Sequence, residues 1–127
     1  MGGNTYLRMD PARLRILLVD DEEDNLDALQ ELLALEGLAA EIALGGFSAL
    51  DRFERGERFD LVLCDVGMPG MSGWQLAAEI ERIAPGTAIW LVTAWANDIA
   101  ANDPRRQLVR GVLAKPLDFE EVHQLVS

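Results

Sequence analysis

Short aliphatic runs alternate with helical patterns along this chain, and this alternation constrains its fold more than any other feature. Five runs have the length of β-strands and are rich in aliphatic residues: 14–19, 38–44, 61–64, 88–93 and 112–114. The clearest of them are nearly uninterrupted, as expected for parallel strands that are covered on both faces. Because strands that alternate with helices form a parallel sheet between helical layers, the sequence predicts an α/β domain with a doubly wound, five-stranded sheet.

Helices are predicted between these strands from the spacing of apolar residues. The residues that define three of them are Leu26, Leu29 and Leu33, then Phe47, Leu50 and Phe53, then Leu76, Ile80 and Ile83. Gly37 and Gly56 follow the first two patterns, where glycine commonly ends a helix. Pro104 interrupts the place of a fourth helix, which we therefore predict to be short or displaced. A brief last helix is predicted over 118–126, with Asp118 as its N-cap.

The charge of the chain excludes several classes of partner. Its 127 residues include 22 acidic and 11 basic residues, which gives a net charge of −11. We expect no direct contact with nucleic acid or with an anionic membrane, whereas a divalent cation or a basic protein surface suits that charge. The single cysteine, Cys64, lies in an apolar run, which is compatible with a reducing compartment and therefore with the cytoplasm. Residues 1–12 are expected to form a flexible leader before a domain of residues 13–127.

Polar residues stand at the ends of four predicted strands. They are Asp20 and Asp21 after the first, Asp65 after the third, Thr93 after the fourth and Lys115 after the fifth. Because parallel strands share one carboxyl edge, these side chains meet whatever their separation in sequence. Three carboxylates repel one another unless a hard cation such as Mg²⁺ compensates their charge. A lysine and a hydroxyl beside that cation suit phosphoryl oxygens, and a carboxylate can attack phosphorus to form an acyl phosphate.

Four segments in this order resemble the receiver (response regulator) domain of two-component signalling. The matching segments are Leu17-Leu18-Val19-Asp20-Asp21, residues 63–73, Leu91-Val92-Thr93-Ala94 and Leu113-Ala114-Lys115-Pro116. The resemblance runs from about Arg13 to the end of the chain and implies a flavodoxin-like sheet of order 2-1-3-4-5. It also implies a phosphoacceptor switch rather than a metabolic enzyme, because such a domain catalyses only its own phosphorylation and dephosphorylation.

The resemblance implies a nucleophile and a set of metal ligands. Asp65 would accept a phosphoryl group from the phosphohistidine of a histidine kinase or a histidine phosphotransfer protein. Asp20 and Asp21 would hold Mg²⁺ together with Asp65 and the backbone carbonyl of Gly67.

The resemblance also implies how the phosphoryl oxygens are bound. Lys115 would pair with one oxygen, and the hydroxyl of Thr93 would donate to another once phosphorylation draws its loop inward. The backbone N–H of Ala94 would help to hold the same group. The Lys115-Pro116 bond is typically cis in this family.

The sequence departs from the usual receiver pattern at Val112, in the interrupted fourth helix and in the short last helix. Val112 stands where the family has an aromatic residue whose rotation reports phosphorylation, so Trp95 or Trp90 is a candidate to move instead. Gly67 and Trp95 occupy positions that flank the hydrolytic water. Because glycine cannot orient water and an indole can block it, we predict slow loss of the phosphoryl group. The pattern over 93–112 resembles receivers attached to hybrid histidine kinases.

Two other functions fit parts of the pattern. A receiver-like protein interaction module without switching fits Val112 and the interrupted fourth helix. A phosphohydrolase of haloacid dehalogenase type also uses a strand-end aspartate, but it needs an acid two residues later, where this chain has Gly67. A homodimer is compatible with the sequence as well. His123 is expected at the surface of the last helix and not as a phosphorelay histidine.

Overall fold

The computed structural model describes residues 13–126, which form a parallel sheet with helices on both faces. The strands are β1 (Ile16–Asp20), β2 (Ala40–Leu44), β3 (Leu61–Asp65), β4 (Ala88–Thr93) and β5 (Gly111–Ala114). They lie in the order β2-β1-β3-β4-β5, and every neighbouring pair is parallel. The doubly wound sheet and its strand order are therefore confirmed. The predicted leader, residues 1–12, lies outside the described residues.

Helices cover the two faces of the sheet and create two separate cores. They are α1 (Glu23–Leu35), α2 (Gly46–Glu54), α3 (Gly73–Ile83) and α4 (Phe119–Val126). Leu17 and Val19 pack with residues of α2 and α3, whereas Ile16 and Leu18 pack with residues of α1 and α4. Successive strand residues point to opposite faces, so all five residues of β1 are buried. This burial on both faces explains the uninterrupted apolar run in the sequence.

Local signals end or begin three of the helices at the predicted places. Gly37 and Gly56 come shortly after α1 and α2 with φ angles of 78° and 96°, which glycine adopts without a steric penalty. Asp118 caps α4, because its side chain accepts a hydrogen bond from the backbone N–H of Glu121 at 2.8 Å. Within residues 13–126, no helix has the length and apolar character needed to cross a membrane.

The segment between β4 and β5 contains two short 3₁₀ turns in place of an α-helix. The turns are Ala96–Asp98 and Pro104–Leu108. Proline at the start of the second turn needs no N–H partner. Arg106 holds the intervening loop by donating hydrogen bonds to the carbonyls of residues 99–100 at 2.9 and 2.8 Å. The fourth helix is thus interrupted as predicted, and its place is taken by these turns.

Candidate functional site

Three carboxylates converge at the carboxyl edge of the sheet. Asp20 ends β1, Asp21 follows it, and Asp65 ends β3. Val19 pairs with Cys64 in the parallel register, so β1 and β3 finish side by side. One oxygen from each of the three aspartates lies within 4.8 Å of the other two. This set of oxygen atoms suits a hard divalent cation.

Asp20 is the most firmly held member of the cluster. Its side chain is buried, and its Oδ1 accepts a hydrogen bond from the backbone N–H of Glu22 at 3.0 Å. The side-chain amide of Asn25 donates to Oδ2 at 3.5 Å. Sequence reasoning missed Asn25, although its position in the first turn of α1, five residues after Asp20, was the available signal. These donors hold the Asp20 carboxylate in one orientation.

Lys115 provides the positive charge of the site. Its Nζ lies 2.9 Å from Asp20 Oδ2 and 3.3 Å from Asp65 Oδ1. Burial alone would lower the pKa of Lys115, but the hydrogen bond to Asp20 and the charge of Asp65 outweigh it and raise the pKa. Lys115 is therefore an ammonium group at neutral pH. The Lys115-Pro116 bond is cis.

Asp65 is half-buried between Asp20 and Lys115. Burial raises the pKa of Asp65 above the usual range, the charge of Lys115 opposes this rise, and the charge of Asp20 adds to it. The ionised carboxylate is thus costly in this position, and a bound cation would offset that cost. Burial also raises the pKa of the neighbouring Cys64 thiol, which stays protonated and unreactive.

Thr93 and Ala94 lie beside the carboxylates at the end of β4. Asp65 pairs with Val92, which places Thr93 one residue further along the strand. The side chain of Thr93 is fully buried, and its oxygen accepts a hydrogen bond from the backbone N–H of Trp95 at 3.2 Å. Because the oxygen acts as the acceptor there, the hydroxyl proton remains available to another acceptor. The structure brings Asp20 and Asp65 into contact with Lys115 and places Asp21 beside them, with Thr93 and Ala94 at the end of the adjacent strand.

Two glycines shape the loop that follows Asp65. A Cβ atom at Gly67 would lie 3.5 Å from the ring of Trp95, and that ring is 61% exposed. The side chain of Trp95 therefore lies beside Gly67, which is itself exposed. A Cβ atom at Gly73 would lie 2.4 Å from the backbone oxygen of Asp65. Sequence reasoning gave Gly67 a role but gave none to Gly73, although Gly73 ends the matching segment 63–73 and precedes a predicted helix.

Comparisons with known proteins agree with this geometry. A family model described as the response regulator receiver domain matches residues 16–127. A response regulator receiver protein of an Anaeromyxobacter species is 39% identical over 111 residues, which are 87% of this chain and 46% of that protein. The crystal structure of the response regulator TrrA of Thermotoga maritima with Mg²⁺ and BeF has a TM-score of 0.78 at 34% identity, and the match covers 89% of this chain and 96% of TrrA. The receiver domain of a Pseudomonas aeruginosa sensor histidine kinase, with magnesium in its active-site cleft, has a TM-score of 0.76 at 28% identity and is matched over 95% of its length and 91% of this chain.

The sheet order and the acidic strand-end site define a phosphoacceptor signalling domain. The chain belongs to the response regulator receiver family, as the family model and the relatives show. Receiver domains are the phosphoacceptor switches of two-component signalling and are generally not enzymes. The family match therefore favours a receiver domain over the haloacid dehalogenase alternative. The chain spans 46% of the Anaeromyxobacter relative and 27% of the transcriptional regulatory protein ZraR of Klebsiella oxytoca. The resemblance to receivers of hybrid kinases stays a prediction.

Proposed function

We propose that Asp65 accepts a phosphoryl group from the phosphohistidine of a histidine kinase or a histidine phosphotransfer protein. The convergence of Asp20, Asp21 and Asp65 opposite the ammonium group of Lys115 carries this proposal. Asp20 is buried and held by three hydrogen-bond donors. Asp65 ends its strand in a half-buried position that a phosphorus atom can approach. We therefore assign Asp65 as the nucleophile and Asp20 as a ligand.

The three aspartates and the backbone carbonyl of Gly67 would hold Mg²⁺. All of these donors are hard oxygen atoms, and the carboxylates carry more negative charge than Lys115 compensates. When bound, Mg²⁺ supplies positive charge to the phosphoryl oxygens. The structure of TrrA with Mg²⁺ and BeF supports this choice of metal.

In the transfer step, a carboxylate oxygen of Asp65 forms a bond to phosphorus while the bond from phosphorus to the histidine nitrogen breaks. The imidazole leaves with the electron pair of the broken bond. Lys115 Nζ, which lies 3.3 Å from Asp65 Oδ1, would pair with one phosphoryl oxygen. The hydroxyl of Thr93 and the backbone N–H of Ala94 would bind another.

Apolar side chains around the site support a protein as the phosphoryl donor. Four of them are exposed at strand ends or in the segments that follow the strands at this edge: Leu44, Phe47, Trp95 and Phe119. Exposed apolar groups around a polar centre are typical of a protein interface. TrrA has been solved in complex with the histidine kinase ThkA, at 34% identity and a TM-score of 0.78 to this chain over 89% of its length and 95% of the TrrA chain. A donor of this class therefore suits the site.

Incubation with phosphoramidate and Mg²⁺ tests the proposal. We expect the mass of the chain to rise by one PO₃H group, because phosphoramidate replaces phosphohistidine as the donor. Excess EDTA should suppress the reaction, since the carboxylates then lack the compensating cation. Intact-protein mass spectrometry measures both results. An unchanged mass with Mg²⁺, in a chain with a folded circular dichroism spectrum, would contradict the proposal.

A receiver-like interaction module without switching is the second candidate function. Val112 packs against the core where an aromatic residue is expected, and the described segment between β4 and β5 has no α-helix. Phosphorylation that changes neither tryptophan fluorescence nor binding of the donor protein would favour this candidate. A fluorescence change that disappears in Trp95→Phe would favour a switch in which Trp95 moves.

Trp95→Ala should shorten the lifetime of the phosphorylated state. The ring of Trp95 lies close to Gly67, and an indole in this place would limit access of water to an acyl phosphate on Asp65. We expect hydrolysis to be faster by about tenfold, which corresponds to a barrier lower by about 1.4 kcal/mol. The measurement is the decay of the phosphorylated mass after removal of the phosphodonor, in a buffer that contains Mg²⁺.

Phe47→Ala is the matched control for this prediction. Phe47 is 61% exposed, like Trp95, but its ring lies over Gly70 and not over Gly67. Its phosphorylated state should therefore decay at the wild-type rate. Equal decay rates in the wild type and in both variants would show that Trp95 has no shielding role, as would a wild-type lifetime of seconds.

A further inference from the structure

A cavity of about 310 Å³ lies between α1 and the segment that joins β5 to α4. Its floor is formed by apolar residues of β1, β3 and β4, and its sides include Leu29 and Leu32 of α1 and Leu117. A space of this size and lining is typical of a small-molecule site. Its walls lack the dispersion contacts that a filled core provides, and an apolar ligand would restore them.

The cavity is closed over the sheet by α1 and residues 115–117, and not by α4. The helix has eight residues and completely buries Val122. None of the residues 119–126 is among those that line the cavity. The cavity therefore depends on how α1 and residues 115–117 pack over the sheet.

One end of the cavity is charged. Asp20, Asn25, Asp65 and Lys115 line this end, and an oxygen of Asp21 lies within 4.8 Å of oxygens of the other two aspartates. The ammonium group of Lys115 contacts both Asp20 and Asp65. Two carboxylates thus line this end against one ammonium group, and the nearby Asp21 adds further negative charge. The excess negative charge favours a cation over an anion.

We propose that this cavity binds a small apolar amine, with its hydrocarbon body against the leucines of α1 and its ammonium group against Asp20 and Asp65. An aromatic ring or branched alkyl chain with a total of about ten heavy atoms suits the volume. The ammonium group compensates the excess carboxylate charge, and the body removes apolar wall from water. Binding follows from the cavity and its charges alone. Competition of the amine with Mg²⁺, and hence inhibition of phosphorylation, rests on the proposed function.

Titration with 2-phenylethylamine in the absence of metal tests the proposal. Two ligands of similar shape serve as comparisons, the neutral 2-phenylethanol and the anionic phenylacetate. We expect the amine to bind saturably and at least about tenfold more tightly than the alcohol, and phenylacetate not to bind. Calorimetry measures the affinities. Changes in the NMR shifts of the methyl groups of Leu29, Leu32 and Leu117 locate the ligand.

Two leucine-to-tryptophan variants of α1 provide a matched pair. Leu29→Trp places a larger side chain in the cavity, whereas Leu35→Trp changes a residue that is 71% exposed and does not line it. Affinity for the amine should fall by at least about tenfold in Leu29→Trp and remain at the wild-type value in Leu35→Trp. The NMR spectrum of each variant without ligand checks its fold. If Leu29→Trp does not fold, the NMR shift changes of the leucine methyl groups in the wild type decide whether the amine binds in the cavity.

Three results would overturn the proposal: no saturable binding of the amine, equal affinity for amine and alcohol, or shift changes away from the cavity. Amine titrations with and without Mg²⁺, together with the phosphoramidate assay, distinguish a failure of the cavity proposal from a failure of the proposed function. If Mg²⁺ weakens amine binding by competition, both the cavity proposal and the proposed phosphoacceptor function are supported. Amine binding in a chain that phosphoramidate does not phosphorylate supports the cavity site and contradicts only the phosphoacceptor proposal.

Discussion

Asp65→Asn should abolish phosphorylation of the chain by phosphoramidate. Asparagine has nearly the shape of aspartate, but its amide is not a nucleophile toward phosphorus and is a weaker ligand for a hard cation. Asp20 cannot replace it, because its carboxylate is held by Lys115 and by the backbone N–H of Glu22. We expect no detectable increase in mass under conditions that convert most of the wild type. The affinity for Mg²⁺ should also fall, since one of three acidic ligands is lost.

The same variant should not weaken the fold at neutral pH. Burial raises the pKa of Asp65, so the ionised carboxylate is less favourable in the folded chain than in the unfolded chain. A group with a raised pKa contributes stability at low pH, and that contribution is lost as the pH rises through the folded-state pKa. The neutral amide avoids this cost. The midpoint of urea unfolding at pH 7 should therefore equal or exceed that of the wild type.

Asp24→Asn is the control for charge at this edge of the sheet. Asp24 is an exposed acid in the first turn of α1 and is not part of the cluster of three aspartates. This variant should be phosphorylated like the wild type. A phosphorylated Asp65→Asn chain would show that another residue is the acceptor and would remove Asp65 from the mechanism.

The sheet and its acidic cluster could be predicted because both depend on strand pattern. The uninterrupted apolar runs identify strands that are buried on both faces. Once the strands are parallel, topology alone brings Asp20 and Asp65 to one edge, without any knowledge of side-chain packing. The position of Lys115 follows in the same way, because it lies one residue beyond the end of β5.

Features that depend on how loops and side chains pack could not be predicted. Pro104 showed that a fourth helix is interrupted, but the 3₁₀ turns that replace it depend on hydrogen bonds from Arg106 to carbonyls six and seven residues earlier. The contact of Trp95 with Gly67 depends on how two loops pack. The cavity depends on how α1 and residues 115–117 pack over the sheet, and no single residue of the sequence records that.

Gly73→Ala should destabilise the chain by about 3 kcal/mol, because the added methyl group has no space. A Cβ atom there would lie 2.4 Å from the backbone oxygen of Asp65 and 2.9 Å from the side chain of Leu91. The helix start cannot shift freely to relieve the clash. The N–H of Gly73 donates to the carbonyl of Val66 at 2.8 Å, and the side chain of Ser72 caps α3. Urea unfolding followed by circular dichroism measures the loss.

Gly67→Ala, in the same loop, is the control for this prediction. It shows whether the loss of stability in Gly73→Ala comes from a specific steric clash or from a general intolerance of side chains in the loop. A Cβ atom at Gly67 would make an ordinary contact of 3.5 Å with Trp95, and Gly67 is not among the glycines with positive φ. Its free energy of unfolding should therefore stay within about 0.5 kcal/mol of the wild type. Equal stability of the two variants would mean that β3 and α3 can separate at little cost.

The backbone of Asp65 packs directly against Gly73, so Gly73→Ala should also impair phosphorylation. The fraction of Gly73→Ala that remains folded should be phosphorylated less than the wild type, whereas Gly67→Ala should still react.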